Sequence, residues 1–161
     1  MVTLASDSEI GIWTGDFWFA MLIVVKTERS LPRPTVLVAD DHSLVRERVV
    51  SLLRPDFEVV GTANNGSNLV AEAQRLQPDV IVLDITMPVL NGIEAAHELR
   101  EIGSTARLVF LTVHEGSAFV EACIAEGAQG YVSKSRLARD LIPAINGALS
   151  GHRFISPTVL H

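Results

Sequence analysis

From Thr35 onward the chain alternates two kinds of hydrophobic pattern. Short apolar-rich runs occupy 35–40, 58–63, 79–84, 107–112 and 129–133, and the one at 80–83 is unbroken up to Asp84. Runs of that length without polar alternation predict strands buried on both faces. Between them, apolar residues recur every three or four positions, which predicts helices. The first helix starts at Ser43 as its cap and reaches about Arg54, with Val45, Val49, Leu52 and Leu53 inward. The second covers 67–76, its stripe being Leu69, Val70, Ala73 and Leu76, and Pro78 stops it. The third opens at Asn91-Gly92, turns Ile93, Ala96, Leu99 and Ile102 inward, and ends at Gly103. A weaker helix follows over 117–125, stopped by Gly127, and the last covers 137–149 with Leu141, Ile142, Ile145 and Leu149 inward. Pro143 is an irregularity in that helix, since it lacks the N–H an interior turn needs.

Strands alternating with helices through short connections require a parallel sheet covered on both faces. The fold class is therefore α/β, a flavodoxin-like (βα)5 doubly wound sheet in the order 2-1-3-4-5. Ligands bind such sheets at the carboxyl edge. The residues that end the strands gain weight for that reason. Strand one ends in Asp40-Asp41, strand three in Asp84, strand four in Thr112 and strand five in Ser133-Lys134.

Each of these residues has an ordinary reading. Asp84 could open a turn, Asp40-Asp41 could face a helix N-terminus, Thr112 could be a plain strand residue, and Lys134 could be solvated. Their joint placement at one edge favours a site. Two unit charges ~4 Å apart repel by about 4 kcal/mol at an effective dielectric near 20. Three carboxylates therefore share a proton or bind a cation. All-oxygen donors with open water positions suit Mg²⁺. A carboxylate beside such an ion can attack phosphorus, and phosphoryl transfer needs positive charge around the equatorial oxygens, which Lys134 would help supply. Thr112 could donate to a phosphoryl oxygen.

Composition adds bounds. The chain has 161 residues, 48% hydrophobic and 20% charged, enough for one globular domain with a real core. A net charge of −6 argues against a broad nucleic-acid surface. Cys123, the single cysteine, excludes an intrachain disulfide and reads as a small buried hydrophobe in a reducing cytoplasm. Phe110 and Phe119 read as core, and His42 and His97 as structural or solvated.

Residues 1–33 differ from the rest. The stretch 10–25 is apolar apart from Asp16 and carries Trp13 and Trp18. Its uninterrupted part, 17–25, falls short of the roughly 20 residues of a membrane span. No Lys or Arg precedes Lys26, so the basic start of a signal peptide is missing. The segment is an extra packed element, an interfacial anchor, or sequence upstream of a true start at Met21. The first and last of these fit better than the second. Leu31-Pro32-Arg33-Pro34 reads as a stiff linker.

The stretches Val38-Ala39-Asp40-Asp41-His42, Asp84-Ile85-Thr86-Met87-Pro88-Val89-Leu90-Asn91-Gly92, Leu111-Thr112 and Gly130-Tyr131-Val132-Ser133-Lys134 resemble the receiver domain of two-component response regulators. The resemblance covers residues 34–157 and agrees in order and spacing. It implies that Asp84 accepts a phosphoryl group from a sensor histidine kinase. It implies Mg²⁺ held by Asp41, Asp84 and the Thr86 backbone carbonyl, with Asp40 acting through water. It further implies Thr112 as the switch hydroxyl, Lys134 as the phosphate's ion-pair partner, and Tyr131 as the aromatic that moves with Thr112. In receivers the position of His114 tunes the lifetime of the aspartyl-phosphate; an exposed loop histidine is the equal alternative.

Gly127-Ala128-Gln129-Gly130-Tyr131 and Gly151-His152-Arg153-Phe154-Ile155-Ser156-Pro157 are similar to the LuxR/FixJ-like subfamily, whose members usually carry a helix-turn-helix output. Residues 158–161 would be the start of its linker, with no output domain following in this chain. A homodimer is a possible state. Ser135 stands where many receivers have proline, which argues against a cis peptide there. The expected role is a phosphoacceptor in cytoplasmic signal transduction, not a turnover enzyme. Two alternatives stand beside it. An aspartate-nucleophile hydrolase of the haloacid-dehalogenase type would want Asp-x-Asp, whereas this chain has Asp84-Ile85-Thr86. A non-phosphorylated receiver-like scaffold would need none of the strand-end chemistry.

Overall fold

A computed structural model describes residues 31–114 and 116–159 of the chain. The compact unit that begins at Pro34 is described by itself. The readings made of residues 1–30 lie outside the described residues.

Elements alternate as the hydrophobic pattern predicts. They are β1 (Thr35–Ala39), α1 (Ser43–Leu53), β2 (Glu58–Ala63), α2 (Gly66–Leu76), β3 (Val80–Asp84), α3 (Gly92–Glu101), β4 (Arg107–Thr112), α4 (Ser117–Ala125), β5 (Gly130–Ser133), α5 (Leu137–Leu149) and β6 (Phe154–Ile155). A 3₁₀ turn, Lys134–Arg136, joins β5 to α5, and another, Pro157–Val159, follows β6. The strands form one parallel sheet in the order β2-β1-β3-β4-β5-β6.

The apolar-rich runs have the expected cause. Leu37, Ile81, Leu83, Phe110 and Tyr131 enter one core with residues of α2, α3 and α4. Their chain neighbours Val36, Val38, Val80, Val82, Val109, Leu111 and Val132 enter a second core with residues of α1 and α5. Adjacent strand residues point to opposite faces, so two-sided burial demands apolar residues at every position.

Several details differ from the sequence reading. A sixth strand joins the sheet at the β5 edge. Its two residues are too few to carry a periodic signal. Ser43 does not cap α1; the cap position is His42, with no side-chain cap bond. Asp40 Oδ1 instead accepts the His42 N–H at 2.8 Å and closes the turn upstream of the helix. Helix α2 starts one residue early, at Gly66, because Asn65 caps it by accepting the Asn68 N–H. Ile102 is the C-cap of α3 and is 46% exposed rather than inward. Phe119 is 38% exposed, not core, and its ring stacks on His114 with centroids 4.6 Å apart. Pro143 sits on the exposed side of an unbroken α5, where water can serve the carbonyl it leaves without a donor. There is no cis peptide among the described residues.

Candidate functional site

Strand register brings the predicted residues together. Ala39 pairs with Leu83, so Asp40 and Asp84 leave adjacent strands side by side. Asp84 pairs with Leu111, and Thr112 with Ser133, which sets Thr112 and Lys134 next in line. Lys134 Nζ lies 2.7 Å from Asp40 Oδ2 and 3.2 Å from Asp84 Oδ2. Both carboxylates are buried, and the lysine side chain is largely so.

One ammonium thus serves two buried carboxylates, and a third, Asp41, stands beside them. The Asp84 carboxyl is held above the ordinary aspartate range, chiefly by burial. Lys134 opposes that rise, the Asp40 charge adds to it, and the Thr86 N–H donated to the carboxylate opposes it weakly. Asp41 is partly exposed and faces the His42 ring, Nδ1 lying 3.0 Å from its Oδ1. The Asp40 backbone carbonyl accepts from Arg46 at 2.7 Å, which fixes the turn that presents both aspartates.

The loop after β3 is also pinned. Gly92 N–H donates to the Ile85 carbonyl at 2.8 Å, and Gly66 N–H donates to the Leu90 carbonyl at 3.0 Å. Asn91 and Glu94 form a reciprocal capping box at the start of α3. These bonds hold the chain that follows Asp84 against the starts of α2 and α3.

Thr112 is buried and its Oγ1 accepts the His114 N–H at 2.8 Å. Tyr131 is buried in the core shared with α4, and burial raises its phenol above the usual value. The Thr112 side chain pulls that phenol the other way. His114 Nε2 lies 3.2 Å from Thr86 Oγ1, so its ring spans from the β3 loop to Phe119 on α4. It is therefore half-buried and partnered rather than a free loop histidine. His97 is half-exposed and faces Glu126 and Arg100, away from the crevice.

Oxygens of Asp40, Asp41 and Asp84, with a ring nitrogen of His42, lie within 4.8 Å of one another, close enough to hold a metal ion. The donor set fits Mg²⁺. Three carboxylates face one ammonium, so the pocket carries surplus negative charge, and its oxygens suit a hard cation. His42 is 68% exposed, as a solvated histidine would be, but its closeness to these carboxylates was not foreseen. Its adjacency to Asp40-Asp41 was the available signal, outweighed by the frequency of solvated histidines.

Fold and site together define a doubly wound parallel domain with an acidic crevice at the carboxyl edge of its sheet. The chain belongs to the response regulator receiver domain family, which it matches over residues 36–146. It is 36% identical over 128 residues to the transcriptional regulatory protein DegU of Brevibacillus brevis, covering 78% of this chain and 54% of that one. It is 37% identical over 124 residues to the nitrate/nitrite response regulator protein NarL of Escherichia coli K12, covering 76% and 57% respectively. The chain thus spans about half the length of the curated relatives it matches. Among solved structures, a two-component response regulator of the LuxR family from Aurantimonas superposes with a TM-score of 0.75 at 36% identity, covering 79% of this chain and 92% of that one. The receiver domain of a NarL from Mycobacterium tuberculosis superposes with a TM-score of 0.72 at 29% identity, covering 76% and 100%. The domain is a receiver of the LuxR/FixJ-like kind. Among the described residues, no helix is long and apolar enough to cross a membrane.

Proposed function

We propose that this domain accepts a phosphoryl group on Asp84 from a histidine kinase and switches conformation in response. The observation that carries the reading is the sharing of Lys134 between Asp40 and Asp84 at the end of β3. An oxygen of Asp84 would attack phosphorus as the bond to the donor imidazole breaks, and the imidazole leaves with a proton. Burial of Asp84 would leave its oxygens poorly solvated, so that little water must be displaced when one attacks. Lys134 would then trade its contact with Asp84 for a phosphoryl oxygen while keeping Asp40. Thr112, beside it on β4, would donate to another oxygen, and Tyr131 would follow the threonine within the core.

Asp41, Asp84 and the Thr86 carbonyl would hold Mg²⁺, with Asp40 reaching it through water. The ion supplies neutralising charge to the transferring oxygens. The kinase partner, a homodimeric state and a cytoplasmic setting belong to the same reading. So does a link to transcription, as the name of the transcriptional regulatory protein DegU suggests. The domain would act as a phosphoacceptor rather than as an enzyme of steady turnover.

Intact-mass spectrometry after incubation with acetyl phosphate tests this directly. One phosphoryl adduct is expected with Mg²⁺, none after chelation and none in Asp84→Asn. An undiminished adduct in Asp84→Asn would remove the assignment.

A further inference from the structure

Lys134 opens the short 3₁₀ turn Lys134–Arg136, a backbone segment with little regular support of its own. Both sides of that turn nevertheless reach the same carboxylate. On the upstream side, the Ser133 N–H donates to Ser156 Oγ at 3.2 Å, and Ser156 Oγ donates to Asp140 Oδ2 at 2.7 Å. On the downstream side, Arg136 Nε donates to the same Asp140 Oδ2 at 2.7 Å, and its second nitrogen reaches Oδ1 at 3.3 Å. Ser156 and Asp140 are buried, and neither belongs to the crevice. The link is a closed brace: residue 133, residue 156, residue 140, residue 136, with Lys134 held inside it.

We propose that Asp140 and Ser156 are positioning residues for Lys134, tying the aim of its ammonium to the segment that follows β6. The inference rests on the phosphoacceptor reading above. Its physical basis is geometric. A lysine side chain has four rotatable bonds and pays side-chain entropy to stay in one place. Here the ammonium must meet two carboxylates at once, so displacement of its Cα is not readily absorbed by rotamer change. A charge-assisted fork from Arg136 and a buried hydroxyl from Ser156 hold that Cα from both sides. Because Ser156 lies between β6 and the final 3₁₀ turn, Pro157–Val159, the link also runs outward. Whatever pulls on Lys134 at the crevice is felt at residues 154–159, and by reciprocity a shift of that segment alters the crevice.

The test is a double-mutant cycle read by beryllofluoride affinity, a phosphoryl mimic that binds carboxylates, measured on the full chain with Mg²⁺ by ¹⁹F NMR. The variants are Ser156→Ala, Lys134→Ala and the pair, with circular dichroism as the check of folding. If Ser156 acts through Lys134, Ser156→Ala weakens binding about tenfold in the parent and less than twofold beside Lys134→Ala. Equal losses in both backgrounds, or no loss in either, overturn the proposal and leave the phosphoacceptor reading intact. Should Ser156→Ala not fold, Arg136→Gln breaks the other, half-buried arm and enters the same cycle with the same two outcomes. Failure of the unmodified chain to bind beryllofluoride removes the phosphoacceptor reading, and this inference with it.

Discussion

The ammonium of Lys134 lies 3.2 Å from Asp84 Oδ2, yet the Asp84 carboxyl remains above the ordinary aspartate range. Burial outweighs the lysine, and the charge of Asp40, which the same ammonium approaches to 2.7 Å, adds to the rise. A carboxylate held short of charge compensation is the state in which a cation gains most by arriving.

The same relationship has a stability consequence. A folded-state value raised above the unfolded one means that ionised Asp84 costs the fold free energy. That cost is absent below the unfolded value near 3.8, grows as pH rises through the raised folded value, and is complete above it. Asp84→Asn removes it while leaving Lys134 paired with Asp40. In chelator-treated buffer the variant is expected to melt a few degrees higher than the parent at pH 7, with the gain shrinking toward pH 4. A lower melting temperature at pH 7 would show that the Lys134 contact outweighs burial after all.

Gly92 provides a backbone test of the site. A Cβ built there would lie 2.1 Å from the Asp84 carbonyl oxygen, far inside contact distance. The neighbour is main chain, so no flexible side-chain end can give way. Gly92→Ala is expected to cost at least about 1–3 kcal/mol, the range of overpacking. It should also displace the end of β3. Urea denaturation reads the first effect, and loss of Mg²⁺-dependent labelling at Asp84 reads the second.

Much of this was legible in the sequence, for a reason visible at particular residues. Val36 to Ala39 and Val80 to Leu83 are apolar at every position because alternate residues feed two different cores. That pattern forces a covered parallel sheet, and a parallel sheet forces Asp40, Asp84, Thr112 and Lys134 to one edge. What escaped has equally specific causes. Phe119 carries an apolar side chain at a helical position, but the His114 ring across the loop gives it a partner near the surface. Ser43 looks like a cap, but the helix already closes on His42, whose carbonyl accepts the Arg46 N–H at 3.0 Å, so Ser43 lies inside it. The Asp140–Ser156 link joins residues sixteen apart through a two-residue strand, and no local pattern announces it.

Cys123 makes a negative prediction. Burial pushes its thiol up to about 12, so almost no thiolate exists at pH 8. Iodoacetamide is expected to leave the folded protein unmodified over minutes and to alkylate it fully in denaturant. Rapid alkylation of the native protein would mean that α4 opens readily from the sheet.

The loop after Asp84 holds a strained residue whose relief should be measurable. Val89 has φ of +70°, in the left-handed region that β-branched residues avoid. The Leu90 N–H donates to the Pro88 carbonyl at 2.8 Å across it, which makes a tight γ-turn. Val89 is 83% exposed, so its side chain contributes little packing to offset the strain. The turn persists because its far side is fixed: the Leu90 carbonyl accepts from Gly66, and Gly92 is bonded to Ile85. Val89→Gly removes a conformational cost of about 1–2 kcal/mol. It adds back roughly 0.5–1 kcal/mol of unfolded-chain entropy. The net expectation is a gain of about 0–1.5 kcal/mol from replacing a valine by glycine on the surface. Chemical denaturation of the two proteins decides it, and a loss of more than about 0.5 kcal/mol would show that the valine side chain packs against something in the folded protein.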